Sequence, residues 1–186
     1  SSPAGPDDLI LRIYAGVTEP RAWEPLLDDV AHRCGARAAN ICLGSPGQAP
    51  LKAAWLSDCL GDFFDVPERT QIVEAARPLH LAMPTHNPSS ELLPTEELLE
   101  RYGSRHREAI DLEELDSLMA SEYGIHHRLA THLTTLPNQF DFFTLSFDDS
   151  SPAQREQGGA LCNRLLPHFA RALELSRPFA QLQARY

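Results

Sequence analysis

The C-terminal part of the sequence contains two adjacent apolar stripes at helical spacing, and this pattern constrains the fold more than any other. The stripes are Leu161, Leu165, His168, Ala172, Leu175, Phe179 and Leu182, and beside them Cys162, Leu166, Phe169, Leu173 and Ala180. A face this wide lets one stripe pack on the domain's own sheet while the other meets a second chain. The pattern predicts a long C-terminal helix, capped by Ser151 with Pro152 in its first turn and kinked at Pro167 and Pro178.

Two earlier regions predict antiparallel β-hairpins, because short apolar or alternating runs flank turn residues. The predicted strands are residues 36–43, 51–56, 125–136 and 140–147. We expect two helices before the first hairpin, and a proline-broken, mainly helical segment with a weak edge strand at residues 83–86 before the second. Parallel β-α-β units are not evident. The order therefore predicts an α+β domain, with an antiparallel sheet from two hairpins covered by helices in a PAS- or GAF-like arrangement.

Composition and charge narrow the function classes. The 186 residues carry a formal net charge of −10, and a negative surface repels nucleic acid and anionic membranes. No apolar run reaches the roughly 18 residues that span a bilayer. The four cysteines, Cys34, Cys42, Cys59 and Cys162, form no C-x-x-C pair and are expected to be free thiols. The sequence therefore predicts a cytoplasmic protein that contacts no membrane.

No motif for catalysis or metal binding stands out. The sequence lacks a nucleophile elbow, a zinc-protease motif, a P-loop and a glycine-rich dinucleotide motif. Its adjacent acidic pairs are typical of solvated faces. His126 and His132 share a predicted strand face, but about 20 Å separates them, too far to share one ion. We therefore expect no enzyme activity, no metal ion and no cofactor.

A group of aromatic residues with a few polar neighbours is the candidate ligand site. On the predicted hairpins and the helical middle, these side chains are expected to line one face of the sheet, and apolar walls with few polar groups hold small organic ligands. The set is Trp55, Phe63, Tyr102, Tyr123, His127, Leu129, Thr131 and Phe143. The alternative that these aromatics are plain core remains open at the level of sequence.

Three stretches, at the two ends and before the second hairpin, follow a recognisable pattern. Residues 11–36 contain Ile-Tyr, Glu-Pro and Trp, then a helix that ends in Cys-Gly-Ala. Residues 165–175 read Leu-Leu-Pro-His-Phe-Ala-Arg-Ala-Leu-Glu-Leu, and Tyr-Gly-Ile-His-His occupies residues 123–127. Together these stretches resemble the sensor domains of bacterial LuxR-type helix-turn-helix transcription regulators.

The resemblance implies a small-molecule-sensing regulatory domain, coupled through its C-terminal helix to a DNA-binding domain. Residues 1–6 would be a disordered arm or a cloning remnant, residues 7–176 the sensor domain, and residues 177–186 the start of a linker to a DNA-binding domain absent from this chain. Acyl-homoserine-lactone sensors of this broader group carry an Asp-Pro pair beside the ligand. The comparable region here reads Arg77-Pro78-Leu79-His80, so a lactone is not the expected ligand.

The C-terminal helix is the predicted signalling and dimerisation element of a homodimer. Its predicted contact residues are Leu161, Leu165, His168, Ala172, Leu175 and Phe179. The partners expected are an unknown small organic ligand and a second copy, with DNA reached only through the absent domain. Two alternatives stay open: a ligand-free dimerisation or protein-partner module, which a fully packed interior would favour, and an enzyme, which requires a cleft with convergent ionisable groups.

Overall fold

In the computed structural model, which describes residues 6–45, 48–69, 92–102, 113–133 and 140–183, the strands form one antiparallel sheet. The described strands are β1 (Ala38–Ser45), β2 (Gln48–Leu56), β3 (Leu93–Pro94), β4 (His127–His132) and β5 (Phe140–Phe147). Their order across the sheet is β2-β1-β5-β4-β3, so the two hairpins join through the central β1–β5 pair. Both predicted hairpins and the α+β class are confirmed.

The edge strand β3 was not predicted. Leu93 pairs with Ala130 and Pro94 with Leu129, which leaves a strand too short to show any alternation in the sequence. Proline is tolerated there because an edge strand has one side that needs no hydrogen-bond donors. The edge strand predicted at residues 83–86 lies outside the described residues.

Helices flank the strands in the order expected. They are α1 (Pro6–Ala15), α2 (Trp23–Arg33), α3 (Thr95–Tyr102), α4 (Glu113–Tyr123), α5 (Pro152–Asn163) and α6 (Leu166–Gln183). Shortly after α2 ends, Gly35 adopts a positive φ of 63°, which glycine reaches without steric cost. Ser151 caps α5 as predicted: its hydroxyl accepts from the Gln154 N–H, and the Gln154 side chain accepts from the Ser151 N–H.

The long C-terminal helix of the prediction is two helices, α5 and α6. The chain turns at residues 164–165, and Pro167 lies in the first turn of α6 rather than at a kink inside one helix. A proline in a helix interior removes a hydrogen bond and clashes one turn back, whereas in the first turn its missing N–H costs nothing. Pro178 does lie inside α6.

One face of the sheet, here called the core face, packs against α1, α2 and α6. Its sheet residues are Ala39, Ile41, Leu129, Phe143, Leu145 and Phe147. Trp23 lies at the centre of this layer: its indole N–H donates to the Ile13 carbonyl at 2.9 Å, and its ring meets Trp55 and Phe169 edge-on. This layer is the main hydrophobic core of the described structure, which includes no helix with the length and apolar character to span a bilayer.

Candidate ligand site

The opposite side of the sheet, here called the second face, carries polar residues at its centre. Successive strand residues point to opposite faces, so Asn40 on β1 and Thr144 and Ser146 on β5 face away from the core face. Asn40 lies opposite Thr144 in the β1–β5 register, and Ala38 lies opposite Ser146. Thr144 and Ser146 are both buried. A buried polar row in the middle of a sheet requires hydrogen-bond partners.

Ser146 lacks such a partner. Its side chain is 1% exposed, and its hydroxyl oxygen makes no hydrogen bond within the part of the chain that the structure describes. Leaving a buried donor or acceptor unsatisfied costs about 1–3 kcal/mol. The second face therefore presents a hydroxyl that a further polar group would satisfy.

Several aromatic rings lie on the same side of the sheet as this polar row. Phe63 and Phe64 come from the turn after β2 and contact each other edge-on at 5.0 Å, and Phe63 lies 5.9 Å from the ring of Tyr123 at the end of α4. Phe142 packs with Cys42 and Phe64 on the same side of the sheet. Polar groups beside apolar rings are the composition expected of a site for a small organic molecule.

Tyr123 is held by a polar network of its own. Its hydroxyl donates to Asp62 Oδ1 at 2.9 Å and accepts from Arg69 Nη1 at 2.6 Å. The Arg69 guanidinium lies over the rings of both Phe63 and Tyr123 and pairs with Glu122. Burial, with the hydrogen bond to Asp62, raises the pKa of the Tyr123 phenol to about 12. The phenol therefore stays protonated at neutral pH and fixes the position of its ring.

The sheet separates the predicted ligand residues. Phe63 and Tyr123 lie together beside the second face. Trp55, Leu129 and Phe143 belong instead to the hydrophobic cluster of the core face, under the helices. The expectation that the set lines one face is therefore wrong, because the sheet places these two groups in different layers.

Two further predicted polar contacts lie with the core group. His127 and Thr131 share the strand face of Leu129 by alternation along β4. Thr131 is buried, while His127 is half-buried, with its Nε2 atom 4.0 Å from Asp149 Oδ1. Tyr102 ends α3, and its side chain lies outside the described residues. The ligand role of each of these residues stays a prediction.

Asn40, Thr144 and Ser146 were not among the predicted site residues. In β5 the polar Thr144 and Ser146 alternate with Phe143, Leu145 and Phe147, a pattern typical of a strand with one solvated face. The signal that could have identified them is Phe142, an aromatic residue at the start of the same polar row.

The predicted dimer residues of the C-terminal helix differ in how exposed they are. Leu165 and Ala172 are both 0% exposed and pack in the core of their own chain, and the predicted seam stays a prediction. Leu161 and His168 are half-buried, and Leu175 is 39% exposed. The side chain of Phe179 lies outside the described residues.

His168 has a structural partner on another helix. Its Nδ1 atom lies 3.0 Å from the hydroxyl oxygen of Tyr14, and the two rings meet edge-on at 5.7 Å. His168 thus joins α6 to α1. Within the described segments, no group of three or more His, Cys, Asp or Glu side chains is arranged to hold a metal ion.

Comparison with known proteins adds evidence about the fold. No protein-family model matches the sequence, and no curated protein matches it. Among solved structures, the crystal structure of the VqsR ligand-binding domain (LBD) from Pseudomonas aeruginosa matches with a TM-score of 0.52. The two domains share a fold. The match covers 93% of this chain and 96% of that chain at 10% sequence identity, so it concerns architecture rather than particular residues.

Proposed function

We propose that this chain is a small-molecule-sensing regulatory domain of a LuxR-type transcription regulator, cytoplasmic and without a catalytic role. The observation that carries the proposal is the buried hydroxyl of Ser146, which has no hydrogen-bond partner among the described residues and lies on a polar row with aromatic side chains on the same side of the sheet. Two further lines support it: the sequence resemblance at both ends of the chain, and the fold shared with a domain named for ligand binding.

The composition of the second face indicates the kind of ligand. Phe63, Phe64 and Phe142 offer apolar walls, while Ser146 and Thr144 offer hydroxyl groups. A small organic molecule with an apolar body and at least one hydrogen-bonding group fits these surroundings. Such a ligand would contact Phe63 and the ring of Tyr123, whereas contact with Trp55, Leu129 or Phe143 would require entry into the layer that α1, α2 and α6 cover.

In this proposal residues 7–176 form the sensor domain and residues 177–186 lead towards a DNA-binding domain. The helix α6 continues across that boundary to Gln183. A ligand that binds one position of α6 more tightly than another would shift the population between them, and this differential affinity is the signal.

Replacing Ser146 with alanine tests the site, because its two expected effects have opposite signs. Without ligand, the variant should unfold with a free energy about 1 kcal/mol higher than wild type, since the unsatisfied buried hydroxyl is gone. Ligand affinity should fall by roughly five- to tenfold, the loss of about one hydrogen bond. Urea unfolding measures the first effect. Native mass spectrometry of protein purified from a bacterial lysate measures the second, as an adduct lost on denaturation.

Ser150→Ala is the matched control. The Ser150 hydroxyl oxygen is also buried without a hydrogen-bond partner in the described structure, but it lies beyond the end of β5 and outside the sheet. We expect this variant to gain stability and to keep the adduct unchanged. Equal adduct occupancy in wild type and Ser146→Ala would place the ligand elsewhere.

A second candidate function, self-association or binding of a protein partner, is favoured by two exposed leucines. Leu11 on α1 is 72% exposed and Leu175 on α6 is 39% exposed, and these two helices pack against each other. Where exposed apolar side chains on neighbouring helices form one patch, the patch marks a surface that another protein covers. In this candidate the contact surface includes Leu175, one of the predicted dimer residues, together with Leu11. It does not include the buried Leu165 and Ala172.

The substitution Leu175→Asp is expected to convert a homodimer into a monomer, because it places a carboxylate in the apolar contact. Native mass spectrometry should show a mass near twice 20.7 kDa for wild type and a single chain mass for the variant. Arg171→Asp is the control, since it adds a carboxylate at an exposed position of the same helix. A monomeric wild type, or a dimer that survives Leu175→Asp, would contradict this seam.

A further inference from the structure

Two cysteines far apart in the sequence meet in the core. Cys34 follows the last residue of α2, and Cys162 lies near the end of α5. Both are buried in the cluster under the core face, and interaction between the two thiols lowers the pKa of Cys34 and raises that of Cys162. A contact between two thiols is chemically distinct from a contact between two apolar side chains, because the pair can be oxidised.

The backbones also approach closely at this point. Gly158 lies one helical turn before Cys162, so both residues share one face of α5. A Cβ atom at position 158 would lie 2.1 Å from the carbonyl oxygen of Cys34, which shows that α5 passes directly against the end of α2. A disulfide requires Cα atoms about 4.4–6.8 Å apart, a separation that only closely packed backbones provide.

We propose that Cys34 and Cys162 form a reversible intramolecular disulfide when the protein meets a peroxide. The site is separate from the second face, so the domain would respond to oxidation independently of its ligand.

Cys34 is the expected attacking residue, because the hydrogen bond with Cys162 lowers the pKa of Cys34 and Cys34 is the less completely buried of the two. Its thiolate attacks a peroxide oxygen, the O–O bond breaks, and a sulfenic acid forms with release of hydroxide. The Cys162 sulfur then attacks the Cys34 sulfur, the S–O bond breaks, and the departing hydroxide takes the Cys162 proton as water. The proton that Cys34 lost converts the first hydroxide to water, so two thiols are oxidised to one disulfide and one hydrogen peroxide is reduced to two waters.

The bond would close a covalent loop of the chain that contains every described strand. Every described strand lies between residues 34 and 162, so the cross-link ties α2 to α5 across all of these strands. A disulfide that closes a long loop stabilises a protein chiefly by restricting its unfolded chain. We therefore expect oxidation to raise the urea midpoint of unfolding and dithiothreitol to reverse the shift.

The other two cysteines are internal controls. Cys42 is buried on β1 and accepts a hydrogen bond from the Asn40 amide, and burial raises the pKa of its thiol to about 12. Cys59 is exposed, and partial burial of its thiol raises the pKa of that group. Neither is expected to join an intramolecular disulfide, although the exposed Cys59 can cross-link two molecules.

The experiment uses Cys59→Ser, or wild type with Cys59 alkylated in the folded state, to prevent intermolecular products. The protein is treated with a modest excess of hydrogen peroxide, quenched, denatured, alkylated and mapped by mass spectrometry. We expect the loss of two hydrogens, one peptide pair that joins Cys34 to Cys162, and full alkylation of Cys42. Free Cys34 and Cys162 after oxidation, or a cross-link that contains Cys42, would overturn the proposal.

A second comparison separates the disulfide from other oxidation. In Cys162→Ala, Cys34 has no resolving thiol, so peroxide should leave the urea midpoint where it was or lower it. Cys42→Ala keeps the pair and should still show the rise. A rise of equal size in Cys162→Ala would show that the cross-link is not its cause and would overturn the proposal.

Discussion

Replacing Gly158 with alanine is expected to lower the free energy of unfolding by about 3 kcal/mol or more, at the upper end for overpacking. The new methyl group would lie 2.1 Å from the carbonyl oxygen of Cys34 and 3.2 Å from the ring of Phe147. A backbone carbonyl cannot rotate aside as a side chain can. The helix α5 must therefore move away from the end of α2, which opens the core between them.

Gly159→Ala provides a matched comparison at the next residue of the same helix. A Cβ atom there meets the Cδ1 atom of Leu129 at 3.2 Å, the far end of a side chain that can shift slightly. Alanine also favours a helix over glycine by about 1 kcal/mol, a gain that both variants share. In urea unfolding, Gly158→Ala should therefore lower the free energy of unfolding several times more than Gly159→Ala does. Equal stabilities would contradict the close approach of α5 to Cys34.

The parts of the fold that could be predicted from the sequence are those with local signals. Ser151 and Pro152 predict the start of α5, and the turn residues between alternating runs predict both hairpins. The central β1–β5 pair has no such signal, because its partners are about a hundred residues apart and no short turn joins them. The register that places Asn40 opposite Thr144 therefore could not be predicted from the sequence and is known from the structure.

The candidate site was predicted less well for a related reason. Alternation shows that Phe143 and Ser146 point to opposite faces, but it does not show which face a helix covers. The aromatic residues were expected to line one face of the sheet, but Trp55 and Phe143 lie on the face that the helices cover and belong to the core. In the same way, the apolar spacing of α6 could not distinguish Ala172, which packs on its own sheet, from Leu175, which meets solvent.

A buried ion pair joins the sheet to the C-terminal helix. Asp141 on β5 is 2% exposed, and its Oδ2 atom lies 2.5 Å from Nη2 of Arg177 on α6. Asp141 precedes Phe142, and adjacent strand residues point to opposite faces, so β5 presents Phe142 to the second face and Asp141 to the helix. A displacement of β5 caused by a molecule on the second face would thus act on the pair that holds α6.

Arg177→Met is expected to destabilise the fold by about 3 kcal/mol, because it keeps the aliphatic stem but removes the guanidinium that pairs with the buried Asp141 carboxylate. Arg171→Met on the same helix is the control: its pair with Glu174 is largely exposed, so we expect a change of less than about 1 kcal/mol. Asp141→Asn in the Arg177→Met background removes the buried charge and should recover part of the loss. Urea unfolding of the four variants, including Asp141→Asn alone, gives the coupling energy of the pair. Equal effects of Arg177→Met and Arg171→Met would mean that Asp141 does not hold α6.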